Sequence, residues 1–269
     1  MSMTLTDMTN IATLARAYAN SANTSGMSGM SGTSGTSATA DPMTQALDVA
    51  NKRISAQISQ TDVQLSSYGQ IKSGFASVQS AGKTLTTLSA NASAADVTKA
   101  AQSLVDAYNS TTNAVATAVN GNGKSPGALA NDSLARLSGN DLRRVVTSGS
   151  GIADLQKIGI SVNSNGSLSV DSTALGKALA ANPNAVKGVL SKLGQQANTT
   201  ASTELSSGGA VGSAVNSLNS QAKNLAAKQT QEQNLAASAQ AAVQQNSALT
   251  SNFGGVSAGI AAYMKTFSL

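Results

Sequence analysis

Residues 155–190, with the sequence LQKIGISVNSNGSLSVDSTALGKALAANPNAVKGVL, contain the pattern that decides the fold. Apolar side chains occupy every second position on both sides of Asn165-Gly166: Ile158, Ile160, Val162, Leu168 and Val170. Such alternation is typical of strands with one buried face, and Asn-Gly is typical of the turn between two antiparallel strands. The sequence therefore predicts a β-hairpin over residues 157–171.

Two short helices are predicted after the hairpin, because a helix-capping residue precedes each of them. Asp171 can accept hydrogen bonds from the first amides of one helix, and Asn182-Pro183 is a favourable start for the next. Their apolar faces have helical spacing: Leu175, Ala178 and Leu179 in the first helix, and Val186, Val189 and Leu190 in the second. The hairpin and the two helices together predict a small packed module.

Both ends of the chain carry apolar stripes with the three- and four-residue steps of a helix. The first stripe runs over residues 42–90 and the second over residues 210–253. Two stripes of this length predict long helices that pair antiparallel as a coiled coil or helical bundle.

Glycine and polar residues interrupt the two stripes. Gly69, Gly74 and Gly82 in the first stripe indicate either a kink or a partner helix that approaches very closely. Gln229 and Glu232 in the second stripe predict a polar layer that could fix the register of the pair.

The fold class expected from these patterns is mainly α, with a long antiparallel bundle and a small α+β module that contains one hairpin. The predicted segments are an N-terminal amphipathic helix (1–22), a Gly/Ser/Thr linker (23–41), a long helix (42–90), the α+β module (91–198), a second linker (199–209), a long C-terminal helix (210–253) and a short final helix (254–269). The final helix is separate because Gly254-Gly255 is expected to break the preceding one. Two interpretations of residues 1–41 stay open, a disordered export tail or a helix that docks in an assembly.

The amino-acid composition excludes the common combinations of catalytic and metal-binding residues. The chain has no Cys, His or Trp, so it lacks Cys-His pairs, Ser-His-Asp triads and ordinary zinc sites. Most Asp residues stand at predicted helix starts, where capping explains them, and Glu204 falls in the second predicted linker. The net charge of +5 is scattered without interleaved aromatic residues, which argues against a nucleic-acid partner. We therefore predict no catalytic residue, no cofactor and no metal site.

Several motifs resemble the flagellar hook-associated protein 2 family, the filament cap proteins. Residues 155–190 are the most specific of them, and LVDAYNSTTNAV (Leu104–Val115) and GALANDSLARLSGNDLRRVV (Gly127–Val146) are similar to two further family segments. A less specific similarity covers Ile54–Leu85, so that the resemblance extends over residues 43–250. After Leu88 the chain runs almost directly into the Ala-Tyr-Asn helix, where family members carry outer domains, so the chain resembles a short form of the family without those domains. The resemblance implies a secreted scaffold that self-assembles and leaves the cell through the flagellar export apparatus.

The residues themselves also favour assembly. Leu, Ile, Val and Phe make up only roughly a fifth of the chain, a level at which a protein either stays partly disordered or completes its burial against other molecules. Side chains predicted to mediate assembly lie on the apolar faces of the end segments and long helices: Leu5, Met8, Ile11, Tyr18, Leu47, Ile54, Leu65, Phe75, Leu218, Leu225, Leu235, Phe253, Ile260, Tyr263, Met264 and Phe267.

The expected function is that of a non-enzymatic extracellular protein that polymerises into a filament or tube of the flagellum or cell surface. The alternatives are a closed tip cap or hook-associated oligomer, and a secreted adhesin or binding module. Expected partners are copies of the chain, flagellin or other hook-associated proteins, and the export apparatus. Neither a Sec signal peptide nor a membrane span is expected from the sequence.

Overall fold

The structure, a computed structural model, describes residues 42–89, 91–148 and 151–267. The predicted segments 1–22 and 23–41 lie outside this range. The elements of the described residues are the helices α1 (Pro42–Thr86), α2 (Ala94–Asn120), α3 (Ser133–Ser148) and α4 (Ile152–Lys157), the strands β1 (Ile160–Val162) and β2 (Leu168–Val170), and the helices α5 (Ser172–Ala181), α6 (Pro183–Leu205) and α7 (Ala210–Phe267). The predicted fold class, mainly α with a small β-hairpin, is confirmed.

The chain divides into two compact units. The central unit comprises residues 60–221, and the terminal unit comprises residues 42–59 of α1 together with residues 222–267 of α7. Parts of both long helices therefore belong to the terminal unit. In the terminal unit, Ile54, Leu225 and the polar Gln229 are buried.

The core of the central unit is built from large side chains that different elements bring together. Phe75 and Tyr68 come from α1, Leu104 from α2, Ile160 from β1 and Leu190 from α6, and each has less than 2% of its surface exposed. Full burial of such a side chain contributes about 1.5–3 kcal/mol. Side chains that are far apart in the sequence thus hold this unit together.

The hairpin pairs β1 and β2 antiparallel, with Ile160 opposite Val170 and Val162 opposite Leu168. At the turn, Gly166 has φ +83°, a left-handed conformation that glycine adopts at little cost. The predicted first strand is too long, because residues 158 and 159 form a turn after α4. Gly159 explains the difference, since its φ is +84° and a Cβ there would lie 2.9 Å from the Ala174 Cβ.

Three polar residues begin helices as the sequence predicts. The Asp171 carboxylate accepts hydrogen bonds from two amides of the first turn of α5, both at 2.9 Å. The Asn182 side chain accepts one from the first turn of α6 at 3.1 Å, with Pro183 at the first position. Of the two alternatives for α3, Asp132 is the residue that caps, accepting amide hydrogen bonds at 2.8 and 3.1 Å.

Two predicted helix boundaries are wrong. Helix α6 continues to Leu205, so the connection to α7 is residues 206–209 and not 199–209. This last part of α6 buries Ala201 and Glu204, and their packing keeps it helical. Helix α7 passes through Gly254-Gly255 to Phe267 without the expected break. A glycine costs only about 1 kcal/mol in a helix relative to Ala, and the continuing hydrogen bonds of α7 outweigh that.

Two of the three glycines singled out in α1 lie where another helix approaches closely. A Cβ on Gly82 would lie 2.6 Å from the carbonyl oxygen of Gly194 in α6, and a Cβ on Gly194 would lie equally close to the Gly82 oxygen. A Cβ on Gly74 would lie 2.6 Å from the Thr111 hydroxyl in α2. The prediction is wrong for Gly69, which has open space around it.

Candidate assembly interface

A side chain of α2 covers the outer edge of β2 at one residue, Leu168. A two-stranded antiparallel sheet leaves the outward-facing amide and carbonyl groups of each strand without a ladder partner. Asn109 supplies that partner, because its Nδ2 donates to the Leu168 carbonyl and its Oδ1 accepts from the Leu168 amide, both at 2.8 Å. Strand β2 is therefore fixed to α2 at Leu168.

The neighbouring residue of the same motif fixes the turn. The Tyr108 hydroxyl donates to the Gly166 carbonyl at 3.2 Å. The Tyr108 ring is buried, and burial raises the pKa of its phenol. Tyr108 and Asn109 are the Tyr-Asn pair of the sequence motif in Leu104–Val115. Their contacts with the hairpin are the physical role of that motif. They orient the hairpin on the central unit.

A buried carboxyl group occupies the corner between α6 and α7. Glu204 is only 3% exposed, and its Oε2 accepts a hydrogen bond from the Val211 amide at 3.4 Å. Burial and the neighbouring Asp141 carboxyl group raise the pKa of Glu204 to about 7. The sequence predicts a linker at Glu204 and indicates no role for its side chain. The available signal was its position one turn before Gly208-Gly209, next to a helix start.

A second buried hydroxyl lies near this corner. Tyr68 of α1 is fully buried, and burial together with the nearby Asp132 carboxylate raises the pKa of its phenol. The charge of Glu204 acts in the same direction. Tyr68 thus lies close to both Asp132 and Glu204.

The residues predicted to mediate assembly have different positions in the single chain. Four of them are buried within it: Ile54, Phe75, Leu218 and Leu225. Leu47 and Leu65 are half-buried, and Leu235 is 46% exposed. The predicted residues outside the described positions are Leu5, Met8, Ile11 and Tyr18, and those in α7 whose side chains are not described are Phe253, Ile260, Tyr263, Met264 and Phe267.

Four further large apolar side chains are exposed, and the sequence analysis did not select them. They are Val49 and Val63 on α1, Leu137 on α3 and Ile152 on α4, with exposed fractions between 40% and 55%. Val49 and Val63 stand two heptads apart and out of phase with the buried stripe, which is a signal that the sequence did contain. Together with Leu235 they are the apolar surface that the described side chains offer to a partner.

A shallow groove of about 510 Å³ lies between α2 and α3. Apolar residues such as Val115 and Val119 line it together with the guanidinium groups of Arg136 and Arg143. Such a groove can receive an anionic group. Within the described part of the chain, no three carboxylate, His or Cys residues are grouped as metal ligands. Nor is any helix in that part long and apolar enough to cross a membrane.

Comparison with known families agrees with the motifs. The family model for the C-terminal region of flagellar hook-associated protein 2 matches residues 77–252. The chain belongs to the flagellar hook-associated protein 2 family. This is a structural family of flagellar cap proteins and not a family of enzymes. No curated protein and no solved structure matches the chain.

The residues that match the flagellar hook-associated protein 2 family model include most of the features described above. The match begins in α1 next to Phe75 and ends in α7, so it includes the Asn109–Leu168 contact and the Glu204 corner. The family resemblance predicted from the motifs is therefore confirmed, and the matched range covers nearly all of the central unit and part of the terminal unit.

Proposed function

We propose that this chain is a non-enzymatic structural protein of the bacterial flagellum that acts outside the cell, where its copies assemble into a filament or tube. The observation that carries the proposal is the family match over residues 77–252. Proteins of this family oligomerise at the flagellar tip, which supports contacts between copies. The flagellar export apparatus would deliver the chain, with flagellin or other hook-associated proteins as neighbours.

Burial in the two units supports assigning the contacts between copies to the chain ends. The central unit buries most of its large apolar side chains, Phe75 among them, and leaves three of the described ones exposed. In the terminal unit, Leu235 on α7 keeps 46% of its surface exposed. When a second molecule covers an exposed leucine on a long helix, the contact is stabilised by about 25 cal/mol per Å² of apolar surface removed from water. We assign the predicted end segments 1–22 and 254–269 the same role.

Sedimentation velocity and negative-stain microscopy of four proteins, the full chain and three deletion variants, test this proposal. Removal of residues 1–22 or of residues 254–269 should abolish large assemblies, while helical circular dichroism of the remainder stays largely intact. A matched internal deletion in the predicted linker 23–41 serves as the control and should assemble like the full chain. Assemblies that survive both terminal deletions would contradict the proposed role of the ends.

A closed tip cap is the second candidate, and the family itself favours it because its members are cap proteins. Closed symmetry gives a species of one finite mass, whereas a head-to-tail contact that does not close gives indefinite growth. The same sedimentation experiment over a range of concentrations therefore distinguishes the two candidates. A monomer at every concentration would instead favour a secreted adhesin or binding module, for which the arginine-lined groove between α2 and α3 would be the candidate site.

A further inference from the structure

The corner between α6 and α7 is packed tightly around its backbone. A Cβ on Gly209 would lie 2.0 Å from the Thr203 carbonyl oxygen, and a Cβ on Gly212 would lie 1.9 Å from the Ser206 oxygen. Gly209 also donates its amide to the Ser206 carbonyl at 3.1 Å. The last turn of α6 and the first turn of α7 are therefore in direct backbone contact, with little room for a charged side chain to rearrange.

Glu204 lies inside this corner and joins its two helices. It belongs to the last turn of α6, and its carboxyl group accepts a hydrogen bond from Val211 in the first turn of α7. Only 3% of its surface reaches solvent. Water therefore does little to compensate a negative charge at this position.

One carboxyl group and one phenol from other helices lie close to Glu204. Asp141 of α3 is within hydrogen-bonding reach of the Glu204 carboxyl group, and Tyr68 of α1 is close enough to feel its charge. Asp132 lies beside Tyr68. Among the ion pairs formed by described residues, only one reaches this cluster, and it joins the largely exposed Arg144 to Asp141 at 3.2 Å.

We propose that the α6–α7 corner is a proton-operated joint. With a proton on Glu204, its carboxyl group donates a hydrogen bond to the Asp141 carboxylate and the corner stays closed. When that proton leaves, the buried Glu204 carboxylate faces the partly exposed Asp141 carboxylate, and the first turn of α7 separates from α6. This inference does not depend on the proposed assembly, because every group involved lies within the central unit.

The pH range follows from the direction of the pKa shift. The pKa of Glu204 is raised from 4.5 to about 7 in the folded chain, so the folded state holds this proton more tightly than the unfolded state does. The stabilisation is fully present below pH 4.5 and is lost as the pH rises through about 7. The corner should thus be more firmly closed at pH 6 than at pH 8.5, and most firmly closed below pH 4.5.

Amide hydrogen exchange of the full chain tests the joint, with rates divided by the intrinsic exchange rate at each pH. For amides 210–214 of the natural chain, protection should fall at least about tenfold between pH 6 and pH 8.5, since one pKa unit corresponds to a factor of ten. Glu204→Gln keeps a hydrogen-bond donor without a charge, so its protection at these amides should be high and equal at both pH values. Glu232→Gln changes the only other glutamate of the chain, which is half-exposed, and should behave like the natural chain.

Asp141→Asn provides a second test that keeps Glu204 in place. Loss of the facing carboxylate should move the midpoint of the protection change to lower pH. The proposal is overturned if the natural chain shows no change in protection between pH 6 and pH 8.5. It is equally overturned if Glu204→Gln retains the pH dependence of the natural chain. Should Glu204→Gln fail to fold, the natural chain and Asp141→Asn decide the outcome.

Discussion

The central and terminal units differ in how deeply their apolar side chains are buried. Among the side chains that the structure describes, all of the largest fully buried ones belong to the central unit, and its hairpin and helix starts are fixed by specific polar contacts. In the terminal unit, Ile54 and Leu225 are buried beside the polar Gln229, and Val49 and Leu235 are about half exposed. A chain with few large apolar residues can thus concentrate its fully buried side chains in one unit, while both units keep exposed apolar side chains that a partner could cover.

The largest effect is expected for loss of a central core side chain. Phe75→Ala should lower the free energy of unfolding by about 3–5 kcal/mol, because the fully buried ring leaves a cavity. Leu235→Ala in the terminal unit should change it by less than about 0.5 kcal/mol, since that side chain is half exposed. Urea unfolding of both variants measures the difference, and equal losses would break the contrast between the units.

A somewhat smaller effect is expected for the side chain that covers the outer edge of β2 at Leu168. Asn109→Ala leaves the amide and the carbonyl of the buried Leu168 without partners, and an unsatisfied buried group costs about 1–3 kcal/mol. We expect a loss of about 3 kcal/mol and faster exchange of the Leu168 amide. Asn113→Ala, at an exposed position one turn further along α2, is the control and should leave that exchange unchanged.

Helix packing inside the central unit can be tested at glycines of α1. Gly82→Ala places a methyl group against the Gly194 backbone, so α1 and α6 must separate, at a cost of about 2 kcal/mol. Gly69→Ala has open space and should stabilise the chain by up to about 1 kcal/mol through its higher helix propensity. Thermal unfolding measures the expected loss of stability in Gly82→Ala and the expected gain in Gly69→Ala. A loss of stability in Gly69→Ala would mean that the two sites do not differ as described.

The smallest effect on folding is expected on the exposed face of α7, where assembly should respond instead. Leu235→Glu should leave thermal unfolding of the unassembled chain nearly unchanged, because the replaced side chain is half exposed. It should reduce the sedimenting assemblies, because a charge cannot be covered by an apolar partner surface without penalty. Asn234→Glu adds the same charge at the adjacent exposed position. Identical assembly of the two variants would remove Leu235 from the proposed interface.

Local signals in the sequence predicted the local parts of the structure. The hairpin, the Asp171 and Asn182 caps and the apolar faces of α5 and α6 follow from residues within a few positions of one another. The same reasoning failed at Gly254-Gly255, because a glycine weighs little against a helix that continues on both sides.

Contacts between distant residues could not be predicted in the same way. The roles of Asn109 and Glu204 depend on partners that only the folded chain brings near, Leu168 in one case and Asp141 in the other. The glycine pattern of α1 indicated a close helix partner, but nothing in it identified Gly194. Of the candidate assembly interface, the sequence identified the apolar stripes, while the exposure of Leu235 had to come from the structure.

The contact of Asn109 with Leu168 also determines what kind of growth the chain can support. A side-chain amide that imitates a peptide group acts as a surrogate third strand, so at Leu168 an intruding strand finds neither a free donor nor a free acceptor. Molecules crowded together at high local concentration are thereby discouraged from stacking their hairpins into an amyloid-like ladder.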